Sequence, residues 1–255
     1  MIESLKNPKV KRARALRRPR TRKREGQLFV EGLRLVEEAV GSVKVLFFTE
    51  RALGNARIRK IIADQSGVAW QVTDEVMAGM TDTVAPQGIA AIVSQPKLAW
   101  PSQPTFLLIA DQVRDPGNLG TLIRSAAAAG VEGLITPKGT VDPWRDKVLR
   151  AGMGAHFRLP IQDGLTWQEI LPLLANLRVR LAEATGGISY DRADWSRPCA
   201  LIVGGEADGA GEAASGRADE TVSIPMARLV ESLNAAVAGS VILFEVCRQR
   251  REYES

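Results

Sequence analysis

The sequence of 255 residues contains two cysteines, Cys199 and Cys247, and one histidine, His156. Two thiols cannot form a disulfide framework or a four-ligand zinc site, so we predict that both cysteines are reduced and buried. A single imidazole excludes chemistry that needs several histidines, and a Ser-His-Asp mechanism would have to use His156. No metal site is predicted.

Long apolar runs are also absent. No uninterrupted run approaches the roughly 18 residues that a membrane helix needs, and no apolar stretch follows the basic N-terminus. We therefore expect neither a membrane span nor a signal peptide, and we expect a cytoplasmic location. Apolar residues make up 45% of the chain and charged residues 25%, which is typical of a globular protein with one large domain or two modest ones.

Positive charge is concentrated at the N-terminus. Residues 1–24 hold 11 of the 34 lysines and arginines and one acid, Glu3, while the rest of the chain holds 23 basic and 28 acidic residues. The net charge of +5 therefore belongs to a basic arm, which we expect to contact nucleic acid. Few aromatic residues interrupt this run, so base stacking is not expected there. The alternative interpretation is a solvated helical tail that adds solubility.

The side chains that we expect to contact RNA in this arm are Lys9, Lys11, Arg12, Arg17, Arg18, Arg22 and Arg24. A proline-containing segment at residues 97–104 then separates two αβ patterns, and it is the predicted linker. Residues 25–96 read as a small αβ domain, and residues 105–255 as a larger one.

In the larger domain, short apolar strands alternate with helices. Strands are predicted at 106–110, 131–135, 179–183 and 199–203, and helices at about 118–129 and 167–177. This pattern indicates a parallel sheet that is buried on both faces, which is an α/β layer fold. Binding sites in such sheets lie beyond the carboxyl ends of the strands.

Three segments of this domain combine glycine, turn residues and polar side chains. The run from Gly204 to Gly211 follows a strand but has neither the glycine order of a dinucleotide fingerprint nor the Lys-Ser/Thr of a P-loop. Its acids would repel a phosphate. The run therefore suits a ligand that is neutral or cationic where it meets the loop, or it is a plain tight turn.

The second and third segments begin helices. After the turn at Asp115-Pro116-Gly117, Asn118 is the expected helix cap, and Arg124 lies on a face of small residues that leaves room for a nucleotide. Such an arginine either contacts a phosphate or forms a surface salt bridge. Farther on, Ser232 is a natural cap for a helix whose small residues allow close packing against a ligand loop or a second subunit.

Together these segments resemble the three motifs of the SpoU (TrmH) family of RNA ribose 2′-O-methyltransferases, members of the knotted SPOUT class. The first motif corresponds to Asp115-Pro116-x-Asn118-x-Gly120-x-x-x-Arg124-x-Ala126-x-x-x-Gly130, the second to Gly204-x-Glu206-x-x-Gly209, and the third to Ile224-Pro225-Met226 with Glu231-Ser232-Leu233-Asn234. The resemblance spans about residues 105–250. Residues 25–95 are similar to the substrate-binding domain that often precedes this domain. Two small departures from the family pattern are Ala207 and Ala236.

The resemblance implies an α/β fold in which a C-terminal domain with a trefoil knot follows a smaller αβ domain that binds RNA. It also implies S-adenosylmethionine as cofactor and a homodimer as the assembly. Cofactor contacts would come from Gly204, Gly205, Gly209, Ile224, Met226 and Leu233. Catalytic or RNA-contacting groups would be Asn118, Arg124, Glu206, Ser232 and Asn234.

The reaction needs a ribose hydroxyl that is nucleophilic and aligned with the methyl group. A free guanidinium hardly gives up its proton, so we expect Arg124 to grip the target phosphate and stabilise the developing alkoxide. Ribosomal RNA is the expected substrate, with transfer RNA as the alternative. Two further alternatives are a related enzyme that methylates a base nitrogen and a non-catalytic ribosome assembly factor that binds RNA.

Overall fold

The computed structural model describes residues 1–205, 209–227 and 230–253. In chain order the α-helices are α1 (Pro8–Ala15), α2 (Pro19–Glu25), α3 (Leu33–Glu38), α4 (Ala56–Asp64), α5 (Asp74–Met80), α6 (Pro116–Ala128), α7 (Asp146–Ala151), α8 (Trp167–Ile170), α9 (Glu212–Arg217) and α10 (Ala235–Tyr253). The strands are β1 (Gln27–Glu31), β2 (Val43–Phe48), β3 (Ala69–Gln71), β4 (Ile89–Ser94), β5 (Phe106–Asp111), β6 (Gly133–Pro137), β7 (Ile161–Leu165), β8 (Arg178–Glu183), β9 (Ile188–Ser189), β10 (Cys199–Gly204) and β11 (Glu220–Ser223).

These elements form two compact units. The first unit consists of Met1–Lys97 together with Trp144–Phe157, and the second consists of Leu98–Pro143 together with Arg158–Ser255. The chain therefore leaves the second unit after β6, contributes α7 to the first unit, and returns. None of the described helices is long and apolar enough to cross a membrane.

The first unit is built on a four-stranded mixed sheet in the order β1-β4-β2-β3. The central strand β4 runs antiparallel to both β1 and β2, and β3 lies parallel to β2 at the edge. Helices α1 and α5 cover one face of this sheet. The resulting core contains Val10, Ala13, Leu16, Phe29, Val45, Phe47, Val72, Val76, Met77, Met80, Ala90 and Ile92.

The basic N-terminal residues form α1 and α2, and both helices pack into the first unit. The Asn7 side chain accepts a hydrogen bond from the Lys9 backbone N–H at 2.9 Å, which starts α1. Leu16 is fully buried directly after this helix. Helix α2 ends at Gly26, whose φ of 60° is left-handed and favours glycine. This segment therefore contributes core side chains as well as positive charge.

Arg22 lies inside the first unit rather than on its surface. Its side chain is buried, and Nη1 donates hydrogen bonds to the carbonyl oxygens of Leu16 at 3.0 Å and Arg17 at 2.8 Å. These two carbonyls lie at the turn between α1 and α2, so the guanidinium ties the helices together. The prediction that Arg22 contacts RNA is therefore wrong, because its donors are already engaged inside the protein.

Replacing Arg22 by methionine is expected to lower the free energy of unfolding of the first unit by about 2 kcal/mol, because two buried carbonyls lose a charged donor. Urea unfolding followed by circular dichroism measures this change. The matched control is Arg18→Met, which removes the same group from an exposed position and should change the free energy by less than about 0.5 kcal/mol. Equal stability of the two variants would contradict a structural role for Arg22.

The segment Trp144–Phe157 is held in the first unit by ion pairs. Helix α7 packs against β1, and Arg150 donates to the Glu31 carboxylate at 2.7 Å. Arg17 lies 3.6 Å from Asp146. Burial raises the pKa of the Glu31 and Asp146 carboxyls, while the nearby guanidinium groups oppose that rise. The pairing of these partly buried charges explains why the segment belongs to this unit.

The second unit contains a seven-stranded sheet in the order β7-β6-β5-β10-β8-β11-β9. Every pair of neighbouring strands is parallel, so the predicted α/β fold with a buried parallel sheet is confirmed. Strands β5 and β10 are buried along their whole length at the centre. The chain moves from β5 outward in one direction to β6 and β7, and β10 lies on the other side. Such a switch point is where ligands bind in open α/β sheets.

Two predicted elements differ in detail from the structure. Strand β6 begins at Gly133 rather than at residue 131, because Gly130 with φ of 80° ends the α6 region and Val131 still bonds back to Ala126. The helix predicted at 167–177 is a short α-helix followed by the 3-10 turn Leu171–Leu174. Pro172 lacks a backbone N–H, so an α-helix cannot continue undisturbed through it.

Candidate functional site

The second unit has a cavity of about 640 Å³ at the carboxyl ends of its strands. Its walls are the ends of β8, β10 and β11, the loops that follow them, and the start of α10. The lining residues are Ala182, Glu183, Ala184, Thr185, Val203, Gly204, Gly205, Gly209, Ala210, Ser215, Ile224, Met226, Ser232, Leu233, Asn234, Ala235, Ala238 and Ile242. All six residues that were predicted to contact a cofactor are among them.

The glycine loop after β10 passes close to the backbone of the strand beside it. A Cβ atom on Gly205 would lie 2.3 Å from the carbonyl oxygen of Gln112, and one on Gly204 would lie 2.4 Å from the Ala210 nitrogen. Gly205 and Gly209 also exchange backbone hydrogen bonds at 3.0 and 3.1 Å. Because no side chain fits at Gly204 and Gly205, these residues offer only backbone groups to the cavity that they line.

Asp111 holds this loop in place. It is buried at the end of β5, beside Gly204 in register. One carboxylate oxygen accepts a hydrogen bond from the Gly211 backbone N–H at 2.8 Å, and the other accepts one from the Trp167 indole at 3.3 Å. Asp111 lies outside the three motifs and was not predicted as a site residue. The available signal was a carboxylate directly after a fully apolar strand, where a buried acid needs fixed donors.

The helix starts of the first and third motifs are joined by side chains. Asp115, not Asn118, caps α6, because its Oδ1 accepts from the Asn118 backbone N–H at 2.9 Å. The Asn118 amide oxygen is then available to accept a hydrogen bond from Asn234 Nδ2 at 3.0 Å. The prediction of Asn118 as the cap is therefore wrong, although the residue lies in the candidate site.

Asn234 also replaces Ser232 as the cap of α10. Its Oδ1 accepts hydrogen bonds from the backbone N–H groups of Ala236 at 3.0 Å and Val237 at 3.2 Å. The helix begins at Ala235, so Ser232 lies three residues outside it and lines the cavity instead. One side chain thus starts a helix with its oxygen and fixes Asn118 with its nitrogen.

Arg124 is exposed on α6 and is not one of the residues that line the cavity. Helix α6 packs against α10, where a Cβ atom on Gly239 would lie 2.6 Å from Leu122 Cδ2, and Ser240 donates to Ser125 at 2.7 Å. Within residues 1–205, 209–227 and 230–253, no carboxylate forms an ion pair with Arg124. Glu206, the remaining predicted catalytic residue, lies outside the described residues.

The cavity is also lined by polar residues that were not predicted from the sequence. Glu183 is the last residue of β8, Thr185 lies two residues after it, and Ser215 lies on α9. No motif contains these residues. Glu183 could have been noticed as a carboxylate at the end of a predicted strand, as Asp111 could. The cavity is therefore lined by the backbone of a glycine loop, by apolar side chains, and by a few hydroxyl, amide and carboxylate groups. This lining suits a small ligand with both apolar and charged parts.

The other predicted RNA contacts lie in the first unit. Lys11 and Arg18 are exposed, and Arg24 is exposed beside Glu25 at 3.1 Å. Arg12 lies 3.3 Å from Glu25, and Arg17 pairs with Asp82. The exposed ion pairs of Arg12 and Arg24 with Glu25 are weak, so these two arginines remain able to exchange a carboxylate for a phosphate, whereas Arg17 also pairs with the partly buried Asp146.

Comparison with known proteins matches both parts of the chain. The family model described as the SpoU rRNA Methylase family matches residues 105–244, and the MRM3-like substrate binding domain matches residues 7–91. The chain is 33% identical to the human protein named rRNA methyltransferase 3, mitochondrial, over 90% of this chain and 69% of that protein. It is also 33% identical to the Bacillus subtilis 23S rRNA (guanosine(2553)-2′-O)-methyltransferase RlmP, over 96% of this chain and 98% of that protein.

A solved structure agrees with these matches. The crystal structure of the AdoMet-bound rRNA methyltransferase from Sinorhizobium meliloti superposes with a TM-score of 0.82 at 30% identity, and the alignment covers 97% of each chain. The first family model covers more than half of the chain, and its match includes all three motifs. The chain therefore belongs to the SpoU rRNA methylase family.

Proposed function

We propose that this protein is a methyltransferase that transfers a methyl group from S-adenosylmethionine to a ribose 2′-hydroxyl of 23S-type ribosomal RNA. The observation that carries the proposal is the cavity in which the glycine loop after β10, the segment after β11 and the start of α10 come together. The Bacillus subtilis relative is named for 2′-O-methylation of 23S ribosomal RNA, and the human relative is named as an rRNA methyltransferase.

The residues around the cavity fit S-adenosylmethionine. A volume of about 640 Å³ is within the range of small-molecule sites. The backbone of Gly204 and Gly205 can reach the polar edge of an adenine, and Ile224 and Leu233 offer apolar contacts to its faces. Glu183 can attract a cationic group. When bound, the cofactor supplies an electrophilic methyl group on a sulfonium.

The protein's own task is to align and activate the ribose hydroxyl. Asn234 holds the amide of Asn118 at 3.0 Å, so the two helix starts form one rigid edge of the site. We assign to Arg124 the contact with the target phosphate and the stabilisation of the developing alkoxide. Ser232 and Glu206 are assigned the orientation of the reacting groups. The trefoil knot that the resemblance implies belongs to this proposal, as does a cytoplasmic location.

The first unit is the proposed RNA-binding part. Its exposed cations on α1 and α2 can neutralise phosphates, and the release of counterions makes such binding dependent on salt. The core residue Leu16 belongs to the same segment, so deletion of residues 1–24 would also expose the interior of this unit. Neutralisation of single exposed side chains such as Lys11 is therefore the informative change.

We further propose a homodimer formed through α10. Three large apolar side chains one turn apart on this helix are exposed: Val237 is 47% exposed, Val241 36% and Phe244 49%. Positions i, i+4 and i+7 lie on one face of a helix. A continuous apolar face of this kind is typical of a surface that a protein partner covers. An identical chain is the expected partner, because most soluble oligomers are symmetric homo-oligomers.

Replacing Phe244 by glutamate is expected to convert the dimer to a monomer, because two charges would be buried without partners at the symmetric contact. Sedimentation velocity at micromolar concentration measures the change. Ala213→Glu, at an exposed position on α9, serves as the control and should sediment like the wild type. If Phe244→Glu also sediments like the wild type, the α10 face is not the dimer contact.

The proposed function is tested by incubating the protein with labelled S-adenosylmethionine and separate pools of ribosomal and transfer RNA. The expected result is label in ribosomal RNA at linkages that resist alkaline hydrolysis, because 2′-O-methylation removes the nucleophile of that reaction. Label in transfer RNA alone would identify the alternative substrate. Label recovered in mononucleotides after alkaline hydrolysis would indicate base methylation. Cofactor binding without incorporation into either pool would favour a non-catalytic assembly factor.

A further inference from the structure

Trp70 stands out among the five tryptophans because it is exposed. Its side chain is 41% exposed, whereas Trp144 and Trp195 are buried and Trp100 and Trp167 are partly covered. It lies on the short edge strand β3, directly across from Phe47 on β2. The same face of the sheet carries the core under α1 and α5. Trp70 therefore lies at the edge of the sheet, on the face that carries the core, and part of its ring is exposed to solvent.

The exposed ring lies against the basic segment. The Lys9 ammonium nitrogen is 4.3 Å from the centroid of the Trp70 ring. Lys9 and Arg12 are one turn apart on α1, and Lys11 is exposed on the same helix. Although residues 1–24 contain no aromatic side chain, the fold brings one to them from β3. Base stacking was not expected at the basic segment because its neighbours in sequence are not aromatic. In the folded chain, Trp70 on β3 lies against this segment.

An aromatic face next to flexible cations is the arrangement that binds unpaired nucleotides. Bases stack on tryptophan irrespective of their sequence, while lysine and arginine neutralise the adjoining phosphates. A fully paired duplex cannot use such a surface, because its bases are already stacked on one another. If position 70 only had to cover the edge of the core, a smaller apolar side chain could do so without exposing an aromatic ring to solvent.

We propose that Trp70 and Lys9 form a stacking site for an unpaired base of the RNA substrate. The base stacks on the indole, and the Lys9 ammonium moves from the ring face to the phosphate beside that base. This proposal rests on the proposed function in requiring an RNA substrate, but it concerns the first unit and needs no contact with the methyl-transfer site.

The test uses the full-length protein, tryptophan fluorescence and two RNA probes. A single-stranded oligoadenylate, whose bases are unpaired, should quench the emission of the wild type, and a blunt, fully paired duplex of the same length should not. Trp70→Phe keeps an aromatic ring and should bind oligoadenylate within about threefold of the wild type, but without the quenching. Trp70→Leu keeps an apolar side chain without a stacking face and should bind about 5- to 20-fold more weakly.

Lys9→Met separates the charge from the ring. It should weaken the binding of oligoadenylate and reduce the slope of log affinity against log salt by about one. Circular dichroism and S-adenosylmethionine binding by the same variants provide the control for folding. Equal affinity of Trp70→Leu and the wild type for oligoadenylate, or equal quenching by the duplex, would overturn the stacking site.

The outcome is separable from that of the proposed function. Methylation of ribosomal RNA by the wild type tests the function alone. If the wild type methylates ribosomal RNA and Trp70→Leu does so with an unchanged KM, the stacking site fails and the function stands. If oligoadenylate quenches Trp70 but no RNA is methylated, the stacking site stands and the function fails.

Discussion

Replacing Gly205 by alanine is expected to reduce the affinity for S-adenosylmethionine at least about 100-fold while leaving the first unit folded. The added Cβ would lie 2.3 Å from the carbonyl oxygen of Gln112. That oxygen belongs to backbone and cannot move away as a flexible side chain could. Gln112 itself has a φ of 53°, so the contact already involves a residue in the left-handed region. The loop must therefore move, and it carries the backbone groups that face the cavity.

Isothermal titration calorimetry with S-adenosylmethionine measures the loss of affinity, and circular dichroism tests whether the variant is folded. Gly216 on α9 provides the matched control, because a Cβ atom there meets nothing within 4 Å. Gly216→Ala should bind normally, and it should be slightly more stable because alanine restricts the unfolded chain. A Gly205→Ala protein that is folded and retains wild-type affinity would show that the cofactor does not depend on this loop.

The central strands could be predicted because they are buried on both faces. β5 and β10 are apolar runs that end in Asp111 and Gly204, whereas β8 alternates apolar residues with Arg178 and Arg180, and the structure places all three side by side in the parallel sheet. The edge strands could not be predicted in the same way. β7 is only partly buried and contains polar residues and a glycine, and β9 is only two residues long, so neither sequence carries an apolar run or a regular alternation.

The residues of the candidate site could be predicted from their motifs, but their bonding could not. The hydrogen bond between Asn118 and Asn234 joins side chains 116 residues apart in sequence. Both asparagines suit a helix cap, yet Asp115 takes that role in α6, and Asn234 performs both tasks. Local propensity identifies which residue types can cap a helix. Which side chain remains available to bond within the site depends on the packing of α6 against α10.

Charge patterns in sequence have a similar limit. The basic run suggested one uniform surface, but the interior turn between α1 and α2 needs a donor for two carbonyls and takes Arg22 for it. In the same way, α7 is flanked in sequence by parts of the second unit, but its Arg150 pairs with Glu31 of the first. Such pairings depend on distances in space, which composition and spacing do not contain.

Replacing Arg124 by alanine is expected to lower the single-turnover rate of methyl transfer by about 100- to 1,000-fold without weakening cofactor binding. The side chain is exposed on α6 and is absent from the cavity lining, so its removal leaves the cofactor's contacts intact. Within the described part of the chain it has no carboxylate partner, so the guanidinium remains available for a phosphate or an alkoxide. Loss of one donor to a developing oxyanion typically costs this factor.

Lysine at position 124 distinguishes the two roles of the guanidinium. Lysine keeps the positive charge but cannot form the planar, bidentate contact with a phosphate. We therefore expect Arg124→Lys to remain at least about 30-fold slower than the wild type at saturating RNA, with unchanged calorimetric affinity for S-adenosylmethionine. Arg192→Lys, an exposed arginine after β9, is the control and should react at the wild-type rate. Nearly full activity of Arg124→Lys would mean that charge alone is required. A parallel loss of cofactor affinity would instead place Arg124 at the cofactor. The proposal that the cavity binds the cofactor while Arg124 on α6 acts on the ribose and its phosphate would then be wrong.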